Sequence, residues 1–224
     1  MTWIRSFWSS TIGKKIVMAV TGVIGIGFVI GHMLGNLQAF EGAEKINAYG
    51  RFLHHTIGLE LWIIRIVLLA AVILHVVAAV QLTRISQSAR PVGYSRKKSQ
   101  AATLASRAMR YGGLLLLIFI IVHIMQFTTR SFPGYDAMDP AGGVDVYANL
   151  LTAFQNPWWV LFYAVAMLAL ALHLYHGAWS SVRTIGASKP SANPLKHGIS
   201  LLIAAVVAGG FVLIPFAVFF GVLR

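Results

Sequence analysis

Five long apolar stretches govern what this 224-residue chain can become: Ile16 to Leu37, Leu61 to Leu82, Tyr111 to Thr128, Trp158 to Trp179 and Ile199 to Leu223. Each approaches the roughly 20 residues that a helix needs to cross the hydrocarbon core of a bilayer. Only 11% of the residues are charged, against about 25% in an ordinary soluble domain, so the surface must face lipid. The chain therefore reads as an all-α membrane protein, one membrane-embedded domain over residues 1–224 built as a five-transmembrane-helix bundle. The first stretch is too long for a signal h-region and no small-x-small cleavage site follows it, so it is read as a retained span. The third is the shortest, and Pro215 in the fifth removes a helical donor and predicts a kink.

Charge placement sets the expected orientation. Arg5, Lys14 and Lys15 precede the first span. Arg84, Arg90, Arg96, Lys97, Lys98, Arg107 and Arg110 separate the second from the third, and Arg183, Lys189 and Lys196 separate the fourth from the fifth. The other side holds only Lys45, Arg51, Arg130 and Arg224, together with all six acidic residues, Glu41, Glu44, Glu60, Asp136, Asp139 and Asp145. The positive-inside rule then predicts a cytoplasmic amino terminus, an external carboxyl terminus and a multi-pass place in the cell inner or plasma membrane. The net charge of +12 belongs to the cytoplasmic face. It suits anionic lipid or an acidic soluble subunit; with no soluble domain, no nucleic-acid partner is expected. On the opposite side, Ala43 to His55 and Val144 to Phe154 have the mixed pattern of short helices lying on a membrane surface.

Histidine carries the remaining chemistry. With no cysteine in the chain, disulfides, iron–sulfur ligation and covalently attached haem are excluded. Five of the eight histidines lie within spans: His32, His75, His123, His173 and His176. Ionisable groups at such depth are costly and usually functional. His32 and His123 each lie about 10 Å below the outer ends of their helices, while His75 and His173 lie about 14 Å above the inner ends of theirs. The four thus sort into an outer pair and an inner pair, each from two parallel helices. Paired imidazoles suit a six-coordinate haem that carries electrons, whereas two histidines make only half a tetrahedral zinc site. Gly31 and Gly35 near His32, Ala71, Ala78 and Ala79 near His75, and Ala169 and Gly177 near His173 are small enough to admit a flat macrocycle. Histidines that relay protons or hydrogen-bond across helices remain the competing reading.

Several segments resemble a known family. Ser10-Thr-Ile-Gly-Lys-Lys15, Met18-Ala-Val-Thr-Gly22 and Gly31-His-Met-Leu-Gly-Asn-Leu37 resemble the opening of the cytochrome b membrane-anchor subunit of succinate dehydrogenases and quinol:fumarate reductases, in its five-helix, di-haem class. His173-Leu-Tyr-His-Gly-Ala-Trp179 resembles the fourth-helix signature of that family. The resemblance implies two haem b groups, a distal one on His32 and His123 and a proximal one on His75 and His173. It also implies a flavoprotein subunit and an iron–sulfur subunit as partners at the cytoplasmic face, and a membrane quinone, menaquinone, as substrate. Some family members hold a haem propionate with glutamine and serine where this chain has Met18 and Ala19. Ser106, Arg107 and Arg183 on the inner side, and Arg65 for the distal group, are the candidates to replace them.

No motif marks a quinone site. Trp8, Ser10 and Lys14 offer an aromatic wall and donors on the cytoplasmic side. His176 would sit near a haem edge or quinone, and Glu60 with His54 and His55 could exchange protons on the outer side. A cytochrome b subunit serving a hydrogenase or nitrate reductase, or a non-redox proton-relay bundle, stands as the alternative function.

Overall fold

A computed structural model describes residues 2–89, 103–187 and 194–224. The basic residues Arg90, Arg96, Lys97, Lys98 and Lys189 lie outside them. The short helix α1 (Thr2–Ser9) turns sharply into α2 (Thr11–Leu37). Ser10 makes the corner, its Oγ accepting from Gly13 N at 2.8 Å and donating to Phe7 O at 2.8 Å. A Cβ on Gly13 would meet Phe7 O at 1.9 Å, so only glycine fits there. Lys14 is 6% exposed, and its Nζ donates to Trp8 O at 2.6 Å and Ser9 O at 2.9 Å. A cation satisfies the last carbonyls of α1, where the helix leaves its acceptors unpaired.

The chain continues through a 3-10 turn (Gln38–Glu41), α3 (Ala43–Arg51), a π-helical turn (Phe52–Thr56) and α4 (Gly58–Ser88). Next come α5 (Leu104–His123), which opens into a second π-helical turn (Ile124–Thr128), and α6 (Val146–Phe154). The last two are α7 (Pro157–Thr184), started by Pro157 at its first turn, and α8 (Pro194–Phe219). Five of these segments are long and apolar enough to cross a membrane. The third is not short, because helix extends back to Leu104 ahead of the apolar run. The fifth passes Pro215 but ends at Phe219 rather than Leu223. Gly221 at φ 71°, with Val222 N bonded to Ala217 O and Gly221 N to Val218 O, closes it in a Schellman motif.

The spans do not form a closed ring. α2, α7 and α8 pack against one another as a three-helix spine. Among the long helices α4 leans chiefly on α2, and α5 chiefly on α7, and α4 and α5 do not pack as a pair. Close approach within the spine is visible at Gly210 of α8, where a Cβ would lie 2.4 Å from Met33 Sδ of α2.

One end of the bundle carries Arg5, Lys15, Arg84, Arg107, Arg110 and Arg183, the other all six carboxylates. The two short helices predicted for the acidic end form there, as α3 and α6, and pack together across it. Asn47 Nδ2 donates to Asp145 Oδ1 at 3.0 Å, Tyr147 N donates to Asn47 Oδ1 at 3.1 Å, and Arg51 pairs with Asp139. The larger apolar core lies beneath this cap, with Phe154, Val160, Tyr163 and Ile214 among its buried members.

Candidate functional site

The imidazoles of His32 on α2 and His123 on α5 stand with ring centres 5.8 Å apart, and those of His75 on α4 and His173 on α7 with centres 6.0 Å apart. Each pair joins a spine helix to a flanking helix that leans chiefly on a different spine helix. Thr21 and Gly22, beside the inner pair, precede His32 by ten or eleven residues along α2, so the two pairs lie about 15 Å apart along the bundle.

The outer pair is enclosed by rings. Phe28 stacks on His32 at 5.3 Å and 11°, with Phe211 at 5.7 Å; Phe119 stacks on His123 at 5.5 Å and 25°, with Phe127 at 5.5 Å. His123 Nδ1 lies 3.0 Å from Tyr163 Oη, which donates to Gln126 Oε1 at 2.8 Å; Gln126 Nε2 in turn donates to Tyr135 Oη at 2.7 Å. Burial raises the Tyr135 phenol above its ordinary range, although the bond from Gln126 opposes that. Asn36 Nδ2 lies 3.2 Å from His32 Nε2, on the lone pair that a metal would take from that nitrogen.

The inner pair is more open. Thr21 Oγ1 lies 3.1 Å from His75 Nδ1 and donates its own proton to Val17 O at 2.7 Å, so toward the imidazole it acts as acceptor. His75 thereby carries hydrogen on Nδ1 and keeps Nε2 for a ligand. His173 Nδ1 is buried without a hydrogen-bond partner, a costly state for an imidazole nitrogen unless a further group satisfies it. Gly22 faces His75 Cε1 and Gly113 faces His173 Cε1, at 3.5 and 4.0 Å from a would-be Cβ. Of the small residues expected to leave room, Ala71, Ala78 and Ala169 are buried, but Gly35 is filled by Tyr49, whose ring comes within 2.7 Å of a would-be Cβ. No Cβ contact falls within 4 Å of Gly31 or Gly177.

These residues suit two bis-imidazole haems. Two metal–imidazole bonds of roughly 2 Å, plus the half-width of each ring, separate the ring centres by about 6 Å, close to both observed spacings. The unpartnered His173 nitrogen and the small residues beside the inner rings agree with that fit. Among the described residues no three His, Asp or Glu side chains gather as metal ligands. A four-ligand zinc centre therefore has no donors here, while a macrocycle that supplies its own four does.

The other candidates are dispersed. His176 is half-buried one turn beyond His173 on α7, outside the ring contact of the inner pair. Ser106 serves the start of α5, its N–H bonded to Thr103 Oγ1 and its hydroxyl to Thr103 O. Arg107 is exposed. Arg183 stacks over Trp179 at 4.8 Å in an open cleft of about 320 Å³, lined also by Ile12, Lys15, Ser180 and Thr184. Ser10 and Lys14 are engaged in the α1–α2 corner, where Lys14 Nζ also lies 5.9 Å from the Trp8 ring. Glu60 and His54 are exposed at the acidic end, and Arg65 stacks over Trp62 at 5.0 Å rather than pairing with Glu60. Partial burial and the charges of Arg65, His55 and Arg130 hold the His54 imidazole below its usual range.

Sequence reasoning did not single out Gln126, Tyr163 or Thr21. The signal was present: Gln126 is an amide three residues past an intramembrane histidine, within an apolar span where polar groups are expensive.

No protein-family profile matches the chain, and no solved structure does. Over 193 residues it is 27% identical to the succinate dehydrogenase cytochrome b558 subunit of Bacillus subtilis (strain 168), covering 84% of this chain and 86% of that protein. Together with the five membrane-length helices, that similarity fits a cytochrome b membrane anchor.

Proposed function

We propose that this anchor binds two haem b groups, an outer one on His32 and His123 and an inner one on His75 and His173, and passes electrons between an iron–sulfur subunit and a membrane quinone. The observation that carries this reading is the pair of imidazole contacts near 6 Å, drawn across the bundle from flanking helices that lean chiefly on other neighbours. A haem held by these histidines would supply a one-electron iron couple for electron transfer.

The chain's own residues hold and shield these sites. Thr21 orients His75, and the rings of Phe28, Phe119, Phe127 and Phe211 keep water from the outer pair. Arg183, in the basic-end cleft, and Arg65, stacked over Trp62, are the candidate cations for the propionates. The basic end is the cytoplasmic face and the docking side for the iron–sulfur and flavoprotein subunits. Menaquinone is the quinone of this reading, with Trp8, His176, His54, His55 and Glu60 as its candidate contacts.

The test is a visible spectrum of the purified subunit with a haem-to-protein ratio. Two low-spin haems per chain, extractable by acid–acetone because no cysteine tethers them, are expected. A preparation without a Soret band, or with one haem per chain, overturns the assignment. Reporter fusions after Leu195 and at the carboxyl terminus should read inside and outside respectively.

A further inference from the structure

Gln126 and Val207 are the largest fully buried side chains among the described residues. A fully buried amide within a membrane span demands an explanation, because each of its polar atoms must find a partner there. Gln126 finds one on each side. Its Nε2 donates to Tyr135 Oη at 2.7 Å, and its Oε1 accepts from Tyr163 Oη at 2.8 Å. It sits in the π-helical turn that carries the chain on from His123, a local geometry that recurs at functional sites.

The consequence follows from counting protons. A phenol has one, and a carbonyl oxygen can only accept. Tyr163 gives its proton to Gln126, so toward His123 Nδ1, 3.0 Å away, it can only accept. His123 must then carry its hydrogen on Nδ1, which leaves the lone pair of the neutral imidazole on Nε2. With the amide turned the other way, Tyr163 would receive a proton from Gln126 and could direct its own at Nδ1. That arrangement puts hydrogen on Nε2 and blocks it as a ligand.

We propose that Gln126 is a positioning residue for the outer haem: by accepting the Tyr163 proton it fixes the His123 tautomer that offers Nε2 to iron. The proposal rests on the di-haem reading above. Hydrogen bonds to the far nitrogen of a ligating imidazole orient the ring and raise its basicity, which stabilises the ferric state. Losing the chain should therefore raise the midpoint potential of one haem only.

The experiment is a redox titration, with low-temperature EPR, of the purified complex. Gln126→Leu and Tyr163→Phe should each shift upward the potential of the haem whose low-spin signal His123→Leu abolishes, and change that EPR signal, with the other haem unmoved. The double variant should go no further than Tyr163→Phe, because the groups act as a unit. Gln126→Glu should return the potential toward wild type, since a protonated carboxyl keeps a carbonyl for Tyr163 and a hydroxyl for Tyr135. Unmoved potentials in both single variants, or equal shifts of both haems, overturn the role of Gln126 while the wild type still shows two haems. A wild type without haem overturns the di-haem reading, and this inference with it.

Discussion

The two histidine pairs have nearly equal ring separations but very different surroundings. The outer pair lies beneath the larger apolar core and the α3–α6 cap, with aromatic rings on both imidazoles and a hydrogen-bond chain three residues deep behind His123. The inner pair has one hydroxyl on His75, a bare nitrogen on His173 and glycines beside both rings. Ligand geometry alone therefore does not make two equivalent sites. The protein holds the outer imidazoles in place itself, whereas the inner ones would depend more on a group bound between them, as expected where few apolar contacts hold a region.

The sharpest way to break this contrast is to remove single ligands. His32→Leu or His123→Leu should leave haem in the outer cage as a high-spin species, while His75→Leu or His173→Leu should lose the inner haem altogether. Haem-to-protein ratios and EPR read both outcomes, and equal retention at the two sites would erase the distinction. Next in size is hydrogen exchange in haem-depleted protein. Amides from Phe119 to Gln126 should be protected at least roughly tenfold more than those flanking His75 and His173, as measured by mass spectrometry.

A smaller effect separates crowding from packing. Gly22→Leu should perturb the inner haem spectrum and spare the outer, since its side chain would grow toward His75. Gly210→Leu should instead lower thermal stability by about 1–3 kcal/mol, the usual cost of overpacking, through the contact with Met33 and with both haem signals kept. Smallest of all, Thr21→Val should remove from His75 a hydrogen bond worth about 1 kcal/mol, together with the hydroxyl's bond to its own helix at Val17 O. It should shift the inner haem potential less than Tyr163→Phe shifts the outer, as read by redox titration.

What could be read from the chain follows the same division. Span number came from apolar length, a signal intrinsic to each segment, and counting residues to the helix ends placed His32 level with His123 and His75 level with His173. Helix ends were harder, because they depend on local devices: Gly221 stops α8 short of Leu223, and helix extends α5 back to Leu104 through polar residues. The corner at Ser10 and Lys14 was invisible for another reason. Lys14 bonds carbonyls five and six residues back only because α1 folds against α2, so a residue that offers a free donor in sequence is engaged in space. Gly35 misled similarly, since the ring that fills its space comes from Tyr49 on another helix.

The spine-and-flank layout bears on how such a chain is made in the cell. α4 and α5 each rest mainly on one neighbour, and each proposed ligand pair ties a flank to the far side of the spine, α5 to α2 and α4 to α7. Iron bonds at those points would act as crosslinks that complete the bundle, so cofactor binding free energy would become assembly free energy. Cells starved of haem would then accumulate a half-fastened chain, a natural substrate for membrane quality-control proteases. The abundance of this protein would follow haem supply even with its message level unchanged.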